Sequence, residues 1–321
     1  MFRKSLLASA LLAGTSLGAL AGTVAPLTNP TPGDGVIYGF LLTDGSILFQ
    51  GGNLQDFYRF RPDSKGSYVN GTFFLAASLP TGYVPYATSG GVLPDGRVLL
   101  IGGEYLLDNL TSGLVFVLTN KMAIYDPKAD TWTMVAPPPG WDAFIGDSPW
   151  TLLADGRLLL GQKLTKKEAI LDPKTLTWTE ASSAGKDDVN AEEGFTLLPD
   201  GSVLAVNVTD HPFAQRFIPN PDPTLTHWVG AGKTPQNLQA SDINSVANGV
   251  PFDHGKVYFP PGEIGTGILR PDGTVFYTGA NCNVKGPSTD PNACQVYQPK
   301  AHTAILDLGF GGPKAASPSG P

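Results

Sequence analysis

Acidic side chains recur at a near-constant distance before Asp-Gly dipeptides, and carboxylates gathered in this way can bind a cation or a sugar. Seven to ten residues ahead of such a dipeptide lie Asp34, Asp147, Glu192, Glu193 and Glu263. Carboxylate oxygens are preferred ligands of Ca²⁺, and they accept hydrogen bonds from hydroxyl groups. All five are therefore candidate ligand-binding residues, and Asp147, Glu192 and Glu263 are candidate calcium ligands. The alternative is that solvated loops of an acidic protein carry such residues by chance.

Aromatic side chains near the same segments are candidates for stacking on a ligand. Tyr86 precedes the second Asp-Gly dipeptide in "GYVPYATSGG". Trp141 follows three prolines in "APPPGWDAFIGDSPW", where a stiff loop can hold a rigid ring against a sugar or a partner. The alternative for Trp141 is a plug that packs between neighbouring structural units.

The Asp-Gly dipeptides belong to a repeated unit. Its five copies read "LLTDGSILFQGG", "VLPDGRVLLIGG", "LLADGRLLLGQ", "LLPDGSVLAVN" and "LRPDGTVFYTG". Their aspartates are Asp44, Asp95, Asp155, Asp200 and Asp272, at spacings of 51, 60, 45 and 72 residues. Asp-Gly between apolar runs predicts a β-hairpin whose two turn residues both have φ > 0. The continuous apolar run after each turn predicts a strand covered on both faces.

A second pattern follows each hairpin and completes the unit. "AIYDPKADTWT" recurs as "AILDPKTLTWT" and, more loosely, as "QRFIPNPDPTLTHWV". Each copy predicts a strand, a turn containing proline and a strand opened by Thr-Trp, with the Trp packed between units. Four strands per unit at a period of this size suit the blades of a β-propeller. In that fold the acidic residues would lie where the innermost strands begin, at the mouth of the central channel.

These features resemble the kelch repeat and the central domain of galactose oxidase. The resemblance rests on four strands per unit, a glycine pair after the second strand, and six residues between Tyr125 and Trp132. It covers residues 35–309, although the glycine pair survives only at residues 51–52 and 102–103. It implies an all-β kelch-like propeller with five countable repeats, and a sixth blade is left open.

The same resemblance raises the hypothesis of a copper-radical oxidase. Such an enzyme needs a tyrosine cross-linked to a cysteine, a second tyrosine and two histidines. The histidines His211, His227, His254 and His302 show no close spacing, and both cysteines fall within the last unit. This pattern argues against copper, and no other cofactor is firmly implied.

Segments outside the repeats raise the question of how the ring closes. The long connection between residues 229 and 262 is either a loop or a degenerate strand pair around "KVYF". Residues 22–34 are a candidate strand that closes the last blade, because an open ring would expose a sheet edge. Residues 310–321 form a tail rich in Gly, Pro and Ser.

The N-terminus predicts export. Arg3 and Lys4 precede an apolar run that ends in Ala19-Leu20-Ala21, which is typical of a signal peptide, here residues 1–21, cleaved after Ala21. The mature chain is then expected to be secreted, periplasmic or on the cell surface, with no membrane span. In that compartment Cys282 and Cys294 are expected to form a disulfide across a Gly/Pro/Ser loop.

Charge narrows the choice of partner. Removing Arg3 and Lys4 leaves 19 basic against 28 acidic residues and no basic stripe, which argues against nucleic acid. We therefore predict an exported monomer that binds a cell-surface or extracellular glycan or protein through the loops of one face. The alternative is a carbohydrate-active enzyme or a degenerate oxidase. A close carboxylate pair in the channel mouth would favour the enzyme.

Overall fold

The computed structural model describes most of the chain between residues 24 and 310. The described residues are 24–108, 113–116, 118–141, 145–208, 212–235, 238, 251–252, 256–257, 264, 267–281 and 300–310. The predicted signal peptide, Glu263, Cys282 and Cys294 lie outside them. Within the described ranges, no helix has the length and apolar character needed to cross a membrane.

The described residues form seven antiparallel sheets, and five of these sheets are blades that follow one another along the sequence. Blade 1 contains β1 (Val36–Leu41), β2 (Ile47–Gly51), β3 (Phe57–Arg61) and β4 (Thr72–Ala76). The second segment contributes β5 (Pro85–Tyr86), β6 (Ser89–Val92), β7 (Val98–Ile101), β8 (Tyr105–Asp108), β9 (Gly113–Phe116), β10 (Met122–Asp126) and β11 (Thr131–Val135). Of these, β6, β7, β10 and β11 form blade 2, while β5, β8 and β9 form a small added sheet.

Blades 3 to 5 repeat the order of blade 1. Blade 3 contains β12 (Trp150–Leu152), β13 (Leu158–Gly161), β14 (Glu168–Asp172) and β15 (Thr177–Ala181). Blade 4 contains β16 (Thr196–Leu197), β17 (Val203–Val206), β18 (Phe213–Ile218) and β19 (His227–Lys233). After the pair β20 (Pro251–Phe252) and β21 (Lys256–Val257), blade 5 shows three strands, β22 (Ile268–Leu269), β23 (Val275–Asn281) and β24 (Lys300–Leu306). The five repeats counted in the sequence are thus five blades of a β-propeller, and the described residues hold no sixth.

The Asp-Gly turns differ in detail from the expected two-residue type. In blade 1 the N–H of Gly45 donates to the Leu42 carbonyl at 3.0 Å, and Leu42 pairs with Ser46 around a three-residue loop. Only the glycine has positive φ, 82° at Gly45. Since the Asp44 carboxylate accepts the Ser46 N–H at 3.0 Å, the aspartate is used within its own turn.

Tryptophans and arginines tie consecutive blades together. Trp132 and Trp178 donate from Nε1 to the carbonyls of Ala77 and Ala136 in the preceding blade, each at 3.0 Å. This confirms that the Trp of the second pattern packs between blades. In the opposite direction, Arg97 of blade 2 donates to the Pro173 carbonyl of blade 3 at 2.6 Å.

The core lies between neighbouring blades. The second strands β7, β13 and β17 are buried along their whole length, as their continuous apolar sequences predict. The first strands of successive blades approach one another, for example β12 and β16. The first strands therefore surround the centre, and the loops that lead into them form the mouth of the channel.

Two segments raised by the sequence have defined places. Of the two alternatives for the long connection, the structure shows a short strand pair, in which β20 pairs with β21 at the start of "KVYF". Near the N-terminus, Asn29 donates to the Gly71 carbonyl at 2.8 Å, and the Thr28 N–H donates to the Val69 carbonyl at 2.8 Å. The described part of this segment lies against the loop before β4 in blade 1.

Candidate functional site

Three carboxylates from different parts of the ring converge at the channel mouth. Glu104 follows the glycine pair after β7, Asp147 lies in the loop before β12, and Glu192 lies in the loop before β16. One oxygen from each lies within 4.8 Å of the others. The structure therefore brings together two of the predicted acidic residues, Asp147 and Glu192, and adds Glu104.

The ammonium group of Lys163 lies between these carboxylates. Its Nζ donates to Glu104 Oε1 at 3.0 Å, to Glu192 Oε1 at 2.6 Å and to Asp147 Oδ1. The Lys163 side chain is only 5% exposed. Burial alone would lower its pKa, but the carboxylates of Asp147, Glu192 and Glu104 raise that pKa above its ordinary value. Lys163 therefore stays positively charged, and it lies between Asp147 and Glu192, the two candidate calcium ligands that the structure describes.

Backbone hydrogen bonds hold the loops that carry these side chains. The N–H of Gly103 donates to the Gly146 carbonyl at 2.8 Å, which joins the segments of Glu104 and Asp147. The N–H of Ala191 donates to the Lys163 carbonyl at 2.7 Å. Ala191 has φ of 46°, in the left-handed region that a non-glycine residue adopts at a cost of about 1 kcal/mol. The site is therefore built by backbone contacts as well as by the ion pairs.

Three tyrosines border the carboxylates. Tyr86 on β5 pairs with Tyr105 on β8, and their ring centroids are 6.2 Å apart. Burial and the neighbouring Glu104 raise the pKa of Tyr105, which Lys163 partly opposes. Burial also raises the pKa of Tyr38, with a smaller contribution from Asp147. Tyr86, predicted from the sequence, thus lies in this region together with two tyrosines that were not predicted.

A second ionic cluster lies behind the mouth in blades 3 and 4. Lys186 Nζ donates to Glu193 Oε2 at 2.8 Å and to Asp188 Oδ1 at 3.3 Å, with all three side chains at most 4% exposed. It also lies 4.6 Å from the centroid of the Trp228 ring. Burial raises the pKa of Glu193, which Lys186 opposes and Asp188 reinforces. Glu193, another predicted residue, is therefore held mainly by an internal partner.

A cavity of about 590 Å³ opens beside both clusters. Its wall includes Asp147, Trp150, Glu192, Glu193, Phe195 and Ile264. The ring of Trp150 reaches this position because residue 91 on β6 has no side chain: a Cβ there would lie 2.0 Å from Trp150 Cη2. The volume lies in the range of small-molecule sites, and the wall combines acidic and aromatic groups.

Two predicted residues lie away from this wall. Trp141 is 4% exposed and packs in the apolar core between blades 2 and 3, which favours the plug interpretation over a ligand platform. Asp34 lies in the exposed turn before β1, where its carbonyl faces Gly52. Trp150, rather than Trp141, is the indole ring at the cavity.

A copper-radical centre needs histidines beside its tyrosines. Of the two histidines that the structure describes, His227 lies on β19 and His302 on β24, outside the first strands. His211 and His254 fall outside the described residues. The donors gathered between the tyrosines are carboxylates already bonded to Lys163.

Sequence reasoning missed Glu104 and Lys163, although the repeat contains a signal for the lysine. Eight residues after the turn aspartate stand Gly52, Gly103 and, in the third unit, Lys163. Lys163 therefore replaces the second glycine of the pair. Gly146 leaves room for its stem, since a Cβ at Gly146 would lie 3.2 Å from Lys163 Cδ.

Comparison with known proteins supports the fold. No protein-family model and no curated protein sequence matches the chain. Among solved structures, YjhT superposes with a TM-score of 0.51 at 13% identity, covering 79% of this chain and 74% of YjhT. A fungal alcohol oxidase of the AA5 family, in complex with copper, gives 0.49 at 16% identity, covering 83% of this chain and 60% of the oxidase.

A third structure, virginiamycin B lyase from Staphylococcus aureus, gives a TM-score of 0.43 at 14% identity, covering 78% of this chain and 64% of the lyase. The chain thus spans less than two thirds of the oxidase and of the lyase. At these identities the likeness concerns architecture, and no activity is transferred. The chain therefore has an all-β propeller fold, as its repeats implied.

Proposed function

We propose that the protein is an exported binding module that holds a saccharide unit of an extracellular glycan in the cavity at the channel mouth. The observation that carries this proposal is the wall itself, where Asp147 and Glu192 stand beside the indole ring of Trp150. Carboxylates accept hydrogen bonds from sugar hydroxyls, and an aromatic face packs against the apolar face of a sugar ring.

The shape of the site favours a glycan over a protein partner. A stable protein interface buries on the order of 800 Å² on each side, whereas this cavity is a concave space of about 590 Å³. A space of that size suits a small molecule or the end of a chain. The polar groups that line it can then fix the orientation of the bound unit.

The carboxylate geometry favours binding over hydrolysis. The oxygens of Glu104, Asp147 and Glu192 lie close together, near the separation of about 5 Å found in retaining glycosidases. However, the Lys163 ammonium occupies the space between them, where a glycosidase would bind the scissile bond. None of the three is therefore placed to give a proton to a ligand.

One observation supports an enzymatic alternative. Glu193 lines the cavity, and burial raises its pKa well above the ordinary value, as a general acid requires. Its ion pair with Lys186 ties up both carboxyl oxygens, which is why we place this alternative second. Release of reducing sugar from oligosaccharides by wild-type protein, abolished by Glu193→Gln, would establish it.

A thermal-shift screen of the mature protein tests the proposed binding. We expect one or more of glucose, galactose, mannose, glucosamine, N-acetylglucosamine and their disaccharides to raise the melting temperature. Calorimetric titration of the best ligand should show affinity about 10-fold weaker for Glu192→Gln, because a hydrogen bond to a charged group is lost. The matched control is Glu180→Gln, an exposed glutamate on β15. Equal affinities for the two variants would contradict the proposed site.

A further inference from the structure

Lys163 has more carboxylate partners than its charge requires. Three carboxylates, each about one fifth exposed or less, surround one ammonium group that is 5% exposed. The local formal charge is therefore −2, from three negative charges and one positive. Carboxylates this close repel one another strongly in a partly buried site, so the cation at their centre determines whether the arrangement is stable.

The donor set around Lys163 is one that proteins otherwise use for divalent cations. It consists of carboxylate oxygens from three separate loops that point at one centre. Hard cations such as Ca²⁺ prefer oxygen ligands of this kind. In this protein the centre is filled by Nζ, which lies 2.6 Å from Glu192 Oε1 and 3.0 Å from Glu104 Oε1.

We propose that the ammonium group of Lys163 is a built-in substitute for a divalent cation, which positions the three carboxylates so that the channel mouth forms without metal. The inference rests on the proposed function in one respect, because Asp147 and Glu192 both line the proposed saccharide site and bond to Lys163. Lys163 acts through these side chains and is not part of the cavity wall, so it is a positioning residue.

The repeat explains how a lysine came to fill this position. In blade 2 the equivalent residue is Gly103, where a Cβ would lie 2.7 Å from Pro85 Cβ. In blade 3 the corresponding residue carries a full side chain, and Gly146 leaves space beside its stem. Blade 3 thus carries the lysine whose ammonium group joins the loops of blades 2, 3 and 4.

Replacing the lysine with a neutral side chain of similar length should convert the cluster into a calcium site. We expect Lys163→Met to melt on the order of 5 °C lower than wild type at neutral pH, because a buried ion-pair network loses its cation. Added CaCl₂ should restore the melting temperature saturably, with half-saturation below about 1 mM. Wild-type protein and the control Lys174→Met, an exposed lysine of the same blade, should show no saturable shift at equal ionic strength.

Lys163→Arg provides the conservative comparison, and it should melt above Lys163→Met and ignore calcium. If Lys163→Met folds, as judged by circular dichroism, and either keeps the stability of wild type or does not respond to Ca²⁺, the proposal is wrong. If Lys163→Met fails to fold, calorimetric titration of wild type with CaCl₂ decides. Saturable binding that Glu192→Gln abolishes would overturn the proposal, and its absence would support it.

These measurements use no saccharide, so they separate this inference from the proposed function. A protein that ignores every sugar can still show calcium rescue of Lys163→Met. Conversely, if wild type binds a sugar and Lys163→Met shows no calcium response, the proposed binding site stands and the proposed role of Lys163 is wrong.

Discussion

At the scale of single residues, the cavity depends on a close approach between Gly91 on β6 and Trp150 on β12. A Cβ at residue 91 would lie 2.0 Å from Trp150 Cη2, a distance that no packing can tolerate. The indole ring can then occupy the cavity wall only if residue 91 is glycine. The adjoining core contains Leu158 and Leu160 of blade 3, so a displaced ring would also disturb the contact between two blades.

Gly91→Ala should therefore lower the free energy of unfolding by about 2 kcal/mol, since overpacking forces a large side chain from its position. Urea denaturation followed by tryptophan fluorescence measures the change. The control is Gly230→Ala on β19, where a Cβ would meet nothing within 4 Å. A Gly91→Ala variant as stable as Gly230→Ala would show that Trp150 does not pack as described.

Glu168 on β14 is a buried carboxyl group with an unusual environment. It is 0% exposed, and its Oε1 accepts a hydrogen bond from Trp228 Nε1 at 3.0 Å. Its Oε2 has no hydrogen-bond partner in the described part of the chain. Burial raises the pKa of Glu168 to about 8, despite the opposing effects of Lys186 and Trp228. The folded protein therefore keeps a proton that the unfolded chain releases above pH 4.5.

This raised pKa predicts the direction of a pH effect. Because the folded state binds the extra proton, the stability from Glu168 is fully present below pH 4.5 and is lost as the pH rises to about 8. At pH 8.5, Glu168→Gln should exceed wild type in free energy of unfolding by about 2 kcal/mol. The difference should shrink as the pH falls towards 5. A difference in the free energy of unfolding that does not change with pH would contradict the raised pKa of Glu168.

At the level of elements, the fourth strands of blades 2, 3 and 4 each join their blade to the one before through a tryptophan. Trp178 on β15 donates to the Ala136 carbonyl of blade 2 and is 8% exposed. Its position was predictable because Trp178 belongs to a repeated strand–turn–strand pattern. That pattern can be identified from neighbouring residues in the sequence alone. Blade 4 departs from the pattern, since Trp228 donates to the side chain of Glu168 and not to a carbonyl.

Trp178→Phe should remove the hydrogen bond between blades while keeping an aromatic ring in place. We expect the free energy of unfolding to fall by about 2 kcal/mol, from the unpaired Ala136 carbonyl and the smaller ring. Urea denaturation measures this loss. Thr179→Ala, an exposed neighbour on the same strand, is the control, and equal stability of the two variants would mean that the Trp contributes no connection between blades.

At the scale of the whole molecule, the sequence predicted the propeller better than it predicted the site. The five Asp-Gly hairpins and the buried second strands of blades 2, 3 and 4 are local patterns, and each copy supports the next. Glu104, Asp147 and Glu192 lie close together because three blades are arranged around one axis. A local sequence pattern contains no information about that arrangement. The upstream offset from the turn identified Asp147 and Glu192 but could not include Glu104, which follows the turn.

The glycine pair shows why scaffold and site cannot be separated along the chain. Strands β6 and β7 make the hairpin of blade 2, and Gly102 and Gly103 directly follow its second strand. Glu104 and Tyr105 follow at once and enter the channel mouth. A segment that specifies the fold thus also delivers a residue of the proposed site.

The proposed function requires that a saccharide bind in the cavity at the channel mouth. A crystal structure of wild-type protein soaked with the sugar that gives the largest thermal shift tests it most directly. We predict electron density for the sugar between Trp150 and the carboxylates of Asp147 and Glu192, with Lys163 still bonded to both. Density only on the outer face of the blades, or a sugar that displaces Lys163 from these carboxylates, would contradict the account.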